Sequence, residues 1–352
     1  MSLTVIQRFY EIAKQESEAP AFSFETDGNF QSWPWWLVKS KAKHFALGLL
    51  EAGATPGSYF YLFPSRHFDW IFSELGALTV GMQTLPLSSQ ISLETLNRLS
   101  KKYPPQFVYL GNENPELLKK SGFNFASIKK IVTETELQNL LPEFKERSSS
   151  FRRIFNEGIR RESAHHARYR ELRQSLDENA VMSPIRFREG GEILEEPLRY
   201  MDVNQAVEKL SFLTRGVRFK RIYWDGEFGD TWGRIAGIYW PIFQALQSCI
   251  PHSNEPPMRG IKSGRCQLAI LSKNSLQAFA ELAQSPPLAL LPRAPRSWFG
   301  WFQRHLAAFR LKKQWGRKLQ WLLAETPIPE GMAAWYKNYF SIRSGSIPED
   351  LR

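Results

Sequence analysis

Short apolar runs alternate with helical stretches along the first third of this 352-residue chain, and that alternation restricts the fold more than any other feature. Tyr59-Phe60-Tyr61-Leu62-Phe63 follows the turn Pro56-Gly57-Ser58 and reads as an apolar strand. Trp70 to Leu78 is a buried helix, Thr84-Leu85-Pro86-Leu87 an extended segment, Phe107-Val108-Tyr109-Leu110 the next parallel strand, and Ile128 to Val132 the one after. Upstream, Pro20-Ala21-Phe22-Ser23-Phe24 and Asn29-Phe30-Gln31-Ser32-Trp33 alternate about Asp27-Gly28, which predicts a β-hairpin. A helix is predicted from Trp35, with Val38, Ala42, Phe45, Leu49 and Leu50 on one face and its end at Gly53. Strands separated by helices predict an α/β fold, with mixed and parallel sheets flanked by helices.

The order of these pieces is more specific than their type. A hairpin, a helix ending Gly48-Leu49-Leu50-Glu51-Ala52-Gly53-Ala54-Thr55-Pro56-Gly57, a strand, a helix ending Gly76-Ala77-Leu78-Thr79-Val80-Gly81, then Thr84 to Leu87, resembles the N-terminal region of the adenylate-forming, AMP-dependent acyl-CoA synthetases of the long-chain type. The last landmark of the resemblance is Leu319 to Glu330, where the family has a strand leading into a loop beside the adenine pocket. The resemblance implies a fold with much more chain than this, so the expected domain is a truncated one. The family's Tyr-Gly-x-Thr-Glu motif, ribose-binding aspartate and C-terminal-domain lysine have no position here to receive them.

Where the resemblance implies catalytic machinery, the residues depart from it. The family holds ATP phosphates on a Ser/Thr/Gly loop ending Pro-Lys-Gly, which needs glycines for close backbone approach and donors for the oxygens. After Glu178-Asn179-Ala180-Val181 this chain has Ser183-Pro184-Ile185-Arg186-Phe187-Arg188-Glu189-Gly190-Gly191-Glu192, then Glu195-Glu196. The acidic residues repel polyphosphate, Arg186 and Arg188 offset part of that, and Gly190-Gly191 marks a hairpin turn instead. The family's Leu-Pro-x-x-His segment becomes Tyr223 to Trp232, with Asp230 at about the histidine's place, and its Gly-Gly-Ala becomes Glu325-Thr326 before Pro327. No catalytic, cofactor-binding or metal-ligating residue is assigned.

Other chemistries find little support. There is no Gly-x-x-x-x-Gly-Lys loop, Cys-x-x-Cys or His-Glu-x-x-His. Cys249 and Cys266 read as reduced, partly buried thiols. His165-His166 sits on a basic helix, where adjacent histidines point in different directions. Asp225, Glu227 and Asp230 lack calcium-loop spacing and read as a solvated strand-to-helix loop. Charged residues such as Arg8, Glu11 and Lys14 interrupt any leader-like stretch, and no run reaches the length of a membrane span. The expected setting is cytoplasmic, with peripheral association at the inner membrane face.

The net charge of +11 is concentrated twice, at 151–173 and at 293–318. In the second, Trp298, Phe302, Leu306 and Phe309 have the spacing of one helical face, and Arg304, Arg310, Lys312 and Lys313 fall largely elsewhere. That pattern makes Trp298, Phe302, Arg304, Arg310, Lys312 and Lys313 candidates for an anionic membrane surface; packing of the aromatic stripe on the domain core is the competing reading. Nucleic acid has only the electrostatics in its favour, without a helix-turn-helix, zinc-finger or RNA-recognition signature. The domains expected are a lobe at 1–145, a basic linker or helix at 146–177, and a second lobe at 178–345. The functional expectation is a catalytically impaired acyl-CoA synthetase relative that binds an acyl chain, a membrane or a protein partner. Its alternative is an active or split ligase, which alone would require ATP, magnesium and CoA.

Overall fold

The computed structural model describes residues 3–26, 29–64, 68–87, 91–111, 127–134, 146–187, 192–216, 218–226, 229, 231–251, 257–272, 275–276, 318–324, 328 and 343–346. The chain forms two compact units, each discontinuous in sequence. The first comprises Met1–Ala19, Pro34–Ser211 and Glu227–Ile235, and the second Pro20–Trp33, Phe212–Gly226 and Ala236–Arg352.

From the N-terminus the chain runs through helix α1 (Val5–Gln15), strands β1 (Pro20–Thr26) and β2 (Asn29–Pro34), and helix α2 (Trp35–Glu51). Thr4 and Gln7 cap α1 reciprocally, each side chain bonding the other's backbone N–H, so two of the helix's orphan donors are satisfied. Helix α2 buries Val38, Ala42, Phe45 and Leu49, the stripe that its sequence predicts, while Leu50 is only half-buried. Gly53, just past its end, has φ of +84°, a conformation that glycine adopts without strain.

The first unit is built on a five-stranded sheet in the order β4-β3-β5-β6-β7, formed by β3 (Tyr59–Phe63), β4 (Gln83–Pro86), β5 (Pro105–Leu110), β6 (Lys130–Thr133) and β7 (Ser148–Ser150). Every pairing in it is parallel, as the helix-strand alternation requires. Helix α3 (Asp69–Thr79) is buried along its whole length, and α4 (Leu93–Lys102) starts at a Ser92 cap. Tyr61, Leu85, Val108 and Ile131 from the strands meet Leu96 and Leu99 of α4 in one apolar cluster.

Of the two readings of the arginine-rich segment, linker or helix, the structure has the helix. The segment forms α5 (Phe151–Arg160) and α6 (Glu162–Ser175), and both belong to the first unit. Phe151, Ile154 and Gly158 share the buried face of α5, and Tyr169 and Leu172 that of α6, while Arg152, Arg153, Arg160, Arg168 and Arg170 are exposed and Arg173 lies over the Tyr10 ring. The approach of α5 to α2 depends on two glycines. A Cβ on Gly158 would lie 1.8 Å from the carbonyl oxygen of His44, and one on Gly48 2.2 Å from that of Ile154. Phe45 of α2 stacks on Phe151 at 4.9 Å between ring centroids.

The second unit is a seven-stranded sheet in the order β16-β15-β14-β12-β13-β1-β2. To β1 and β2 it adds β12 (Arg221–Trp224), β13 (Gln247–Ile250), β14 (Leu268–Leu271), β15 (Trp321–Ala324) and β16 (Arg343–Ser346). The predicted hairpin is therefore not part of a front lobe at 1–145. Phe22 pairs in parallel with Ser248 and Phe24 with Ile250, because β1, buried from Ala21 to Glu25, needs a partner on its free edge. Gln247 fixes this junction: its side-chain amide donates to Ser23 and, at 3.1 Å, to Ser32, and the two serine hydroxyls lie 2.7 Å apart. The sequence-derived ranges 1–145 and 178–345 thus differ from the compact units.

Candidate functional site

The segment that the resemblance places at the ATP phosphates lies in the first unit, and its described residues include four short strands. Its pieces are β8 (Val181–Ser183), β9 (Arg186–Phe187), β10 (Ile193–Leu194) and β11 (Leu198–Arg199). β8 pairs antiparallel with β11, and β9 with β10, with Phe187 opposite Ile193. Gly190-Gly191 lies outside the described residues, but the strands on either side pair as a hairpin requires.

Among the described residues, three donors of this segment are committed within the protein. The Ser183 hydroxyl donates to the Ile185 carbonyl at 2.8 Å. Arg186 reaches the Asp202 carboxylate at 2.7 Å and the Pro197 carbonyl at 3.0 Å. The Phe187 amide donates to the Thr231 hydroxyl at 3.0 Å. Asp202 also accepts the Arg199 amide at 2.9 Å, so one carboxylate ties β9 to the end of β11. Glu195 adds negative charge: its hydrogen bond from Lys102, and then the Arg98 guanidinium, hold its carboxyl below the usual range. A glycine-lined anion site needs free amides and open backbone, whereas among the described residues of this segment the Ser183 hydroxyl, the Arg186 guanidinium and the Phe187 amide all have internal partners.

Two charged residues that sequence reasoning passed over lie at the centre of this unit. Arg234, from the helical turn Thr231–Arg234, places its guanidinium 2.8 Å from the Glu74 carboxylate of α3, and both are fully buried. Thr84 bridges the two, donating to Glu74 at 3.2 Å. Burial, together with the Glu74 charge, pushes the Tyr200 phenol up. The available signal was a single carboxylate within the otherwise apolar Trp70 to Leu78.

After Arg234 the helix widens into a π turn at Ile235–Tyr239 before Trp240–Gln244. Pro241 has no N–H for the α-helical ladder, which accounts for the shift in hydrogen bonding just before it.

In the second unit, the carboxyl ends of the parallel strands are the ordinary place for a ligand in an open α/β sheet. Asp225 follows β12 there. It is not a solvated loop residue: its carboxylate accepts the Ser272 amide at 2.9 Å, and burial pushes its pKa up to about 6. The contact fixes the loop after β14. Cys249 and Cys266 are free and buried, and burial pushes the Cys266 thiol up, away from the reactive thiolate. Among the described residues no three His, Cys, Asp or Glu side chains converge as a metal requires. His165 turns inward to Glu51 at 2.7 Å, and His166 points elsewhere, 4.0 Å from Glu162. The membrane candidates Trp298, Phe302, Arg304, Arg310, Lys312 and Lys313 lie outside the described residues, as do Glu227 and Asp230.

No protein-family model matches the sequence, and no curated protein matches it. Solved structures do match. The adenylation domain of a carboxylate reductase from Mycobacterium chelonae aligns over 99% of this chain, with a TM-score of 0.73 and 12% identity. The chain has the adenylation-domain fold. An acyl-CoA synthetase from Brucella canis aligns over 97% with a TM-score of 0.68 and 12% identity, and a fatty acyl-adenylate ligase from L. pneumophila over 96% with 0.63 and 14%. Its structural neighbours are adenylation domains of AMP-dependent synthetases and ligases, as the order of strands and helices implied. This chain spans 58%, 56% and 53% of those three proteins, respectively.

Proposed function

We propose that this protein is an AMP-dependent synthetase relative, similar to the fatty acid–CoA ligases, in which adenylation has given way to binding. The observation that carries the reading is the pair of antiparallel ladders formed by 181–187 with 193–199, where Ser183, Arg186 and the Phe187 amide are bonded to the protein's own groups. A bound triphosphate would have to break those contacts and approach the Glu195 carboxylate. In this reading the protein acts in the cytoplasm and peripherally at the inner membrane face, and the aromatic and basic residues of 298–313 are the sequence feature that supports such an association. Among the described residues no helix is long and apolar enough to cross a membrane.

Calorimetry of the full chain with ATP and magnesium tests the reading. No saturable heat up to millimolar nucleotide is expected. Micromolar binding, joined to pyrophosphate exchange that depends on a fatty acid, would overturn it in favour of an active ligase.

A further inference from the structure

The outward face of α5 is a prefolded basic surface with an apolar side chain set into it. Arg152, Arg153, Asn156, Ile159 and Arg160 are all exposed, and Ile159 retains 47% of its accessible surface. Arg160 has a partner on its own helix, Glu157 at 3.2 Å. Among the described residues no carboxylate pairs with Arg152 or Arg153, nor with the exposed Arg170 of α6. The opposite face of α5 is fixed by Phe151, Ile154 and Gly158, so the helix needs no ordering when something docks on it.

We propose that this face docks on an anionic phospholipid bilayer. Guanidinium groups match the phosphodiester of a headgroup in charge and in bidentate geometry. Ile159 distinguishes a bilayer from other polyanions. Beside the arginines it can enter the boundary between headgroups and acyl chains and lose its contact with water, whereas a nucleic-acid backbone offers it nothing comparable. The inference concerns a different surface from residues 298–313, and it holds whether or not the chain binds ATP.

The test is flotation of the full-length protein with phosphatidylcholine vesicles, with and without phosphatidylserine, at low and high salt. Wild type is expected to float with the anionic vesicles and to be released by salt. The double variant Arg152→Gln, Arg153→Gln should lower the partition coefficient on the order of 30-fold, and Ile159→Ser should lower it severalfold, both with unchanged melting temperature. Three results would each overturn the proposal. They are equal flotation with neutral and anionic vesicles, a double variant that binds as wild type does while Arg310→Gln, Lys312→Gln, Lys313→Gln does not, and displacement from vesicles by short duplex DNA at equal phosphate.

Discussion

The Arg234 guanidinium and the Glu74 carboxylate meet at 2.8 Å, and neither side chain is exposed to solvent. Taking two charges out of water costs several kcal/mol per ion, and only their mutual attraction and surrounding hydrogen bonds offset it. Arg234→Met strands the carboxylate in the core and is expected to destabilise the protein by about 3 to 5 kcal/mol. The double variant Arg234→Met, Glu74→Leu should recover most of that loss. Urea denaturation of the three proteins checks this; a double variant no more stable than the single one would assign the pair a different role.

Gly158 sets the distance between α5 and α2. Alanine there would bring its Cβ against the backbone oxygen of His44, which cannot rotate away. Gly158→Ala should therefore cost about 3 kcal/mol, although alanine is the better helix former. A thermal melt that shows stabilisation would mean the helices separate freely.

A fragment covering 1–145 is expected not to fold cooperatively. It retains β3, β5 and β6 but lacks β7 and α5, which cover the sheet edge and α2, and it leaves β1 without β13. Differential scanning calorimetry of this fragment should show no unfolding peak. A sharp transition would restore the contiguous lobe that the sequence alone suggests.

Asp225 should make stability depend on pH. Burial raises its pKa from 3.8 to about 6, so the folded state favours the neutral acid. The stability this provides is full below about pH 4 and is lost as pH rises through about 6, a change of about 3 kcal/mol. Asp225→Asn keeps an acceptor for the Ser272 amide without the charge. It should gain melting temperature relative to wild type as pH rises from 4 to 8, whereas a constant difference across that range would show that the carboxylate pays no burial cost.

Elements with local causes were legible in the sequence. The apolar stripe of α2 and the unbroken apolar runs of β3 and β5 need only their own residues to declare themselves. Long-range choices were not legible. Nothing in Phe22-Ser23-Phe24 indicates that its partner is Ser248 to Ile250, because parallel pairing leaves no turn in the sequence to mark it. The arginines at 151–173 hid the buried spacing of Phe151, Ile154, Tyr169 and Leu172, which left the segment readable as either a linker or a helix. At the candidate site, the residue types of 183–192 show how the sequence departs from a Ser/Thr/Gly phosphate loop. That Asp202 collects Arg186 and Arg199 depends on how the strands fold back, which composition does not specify.

The Ser23–Gln247 contact joins residues 224 positions apart. During synthesis at 5–20 residues per second, the ribosome needs about 10 to 45 s to make the intervening chain. For that interval β1, apolar and built to be covered on both faces, has no β13 to pair with. The nascent chain thus exposes, for the whole of that interval, the strand edge that β13 later covers.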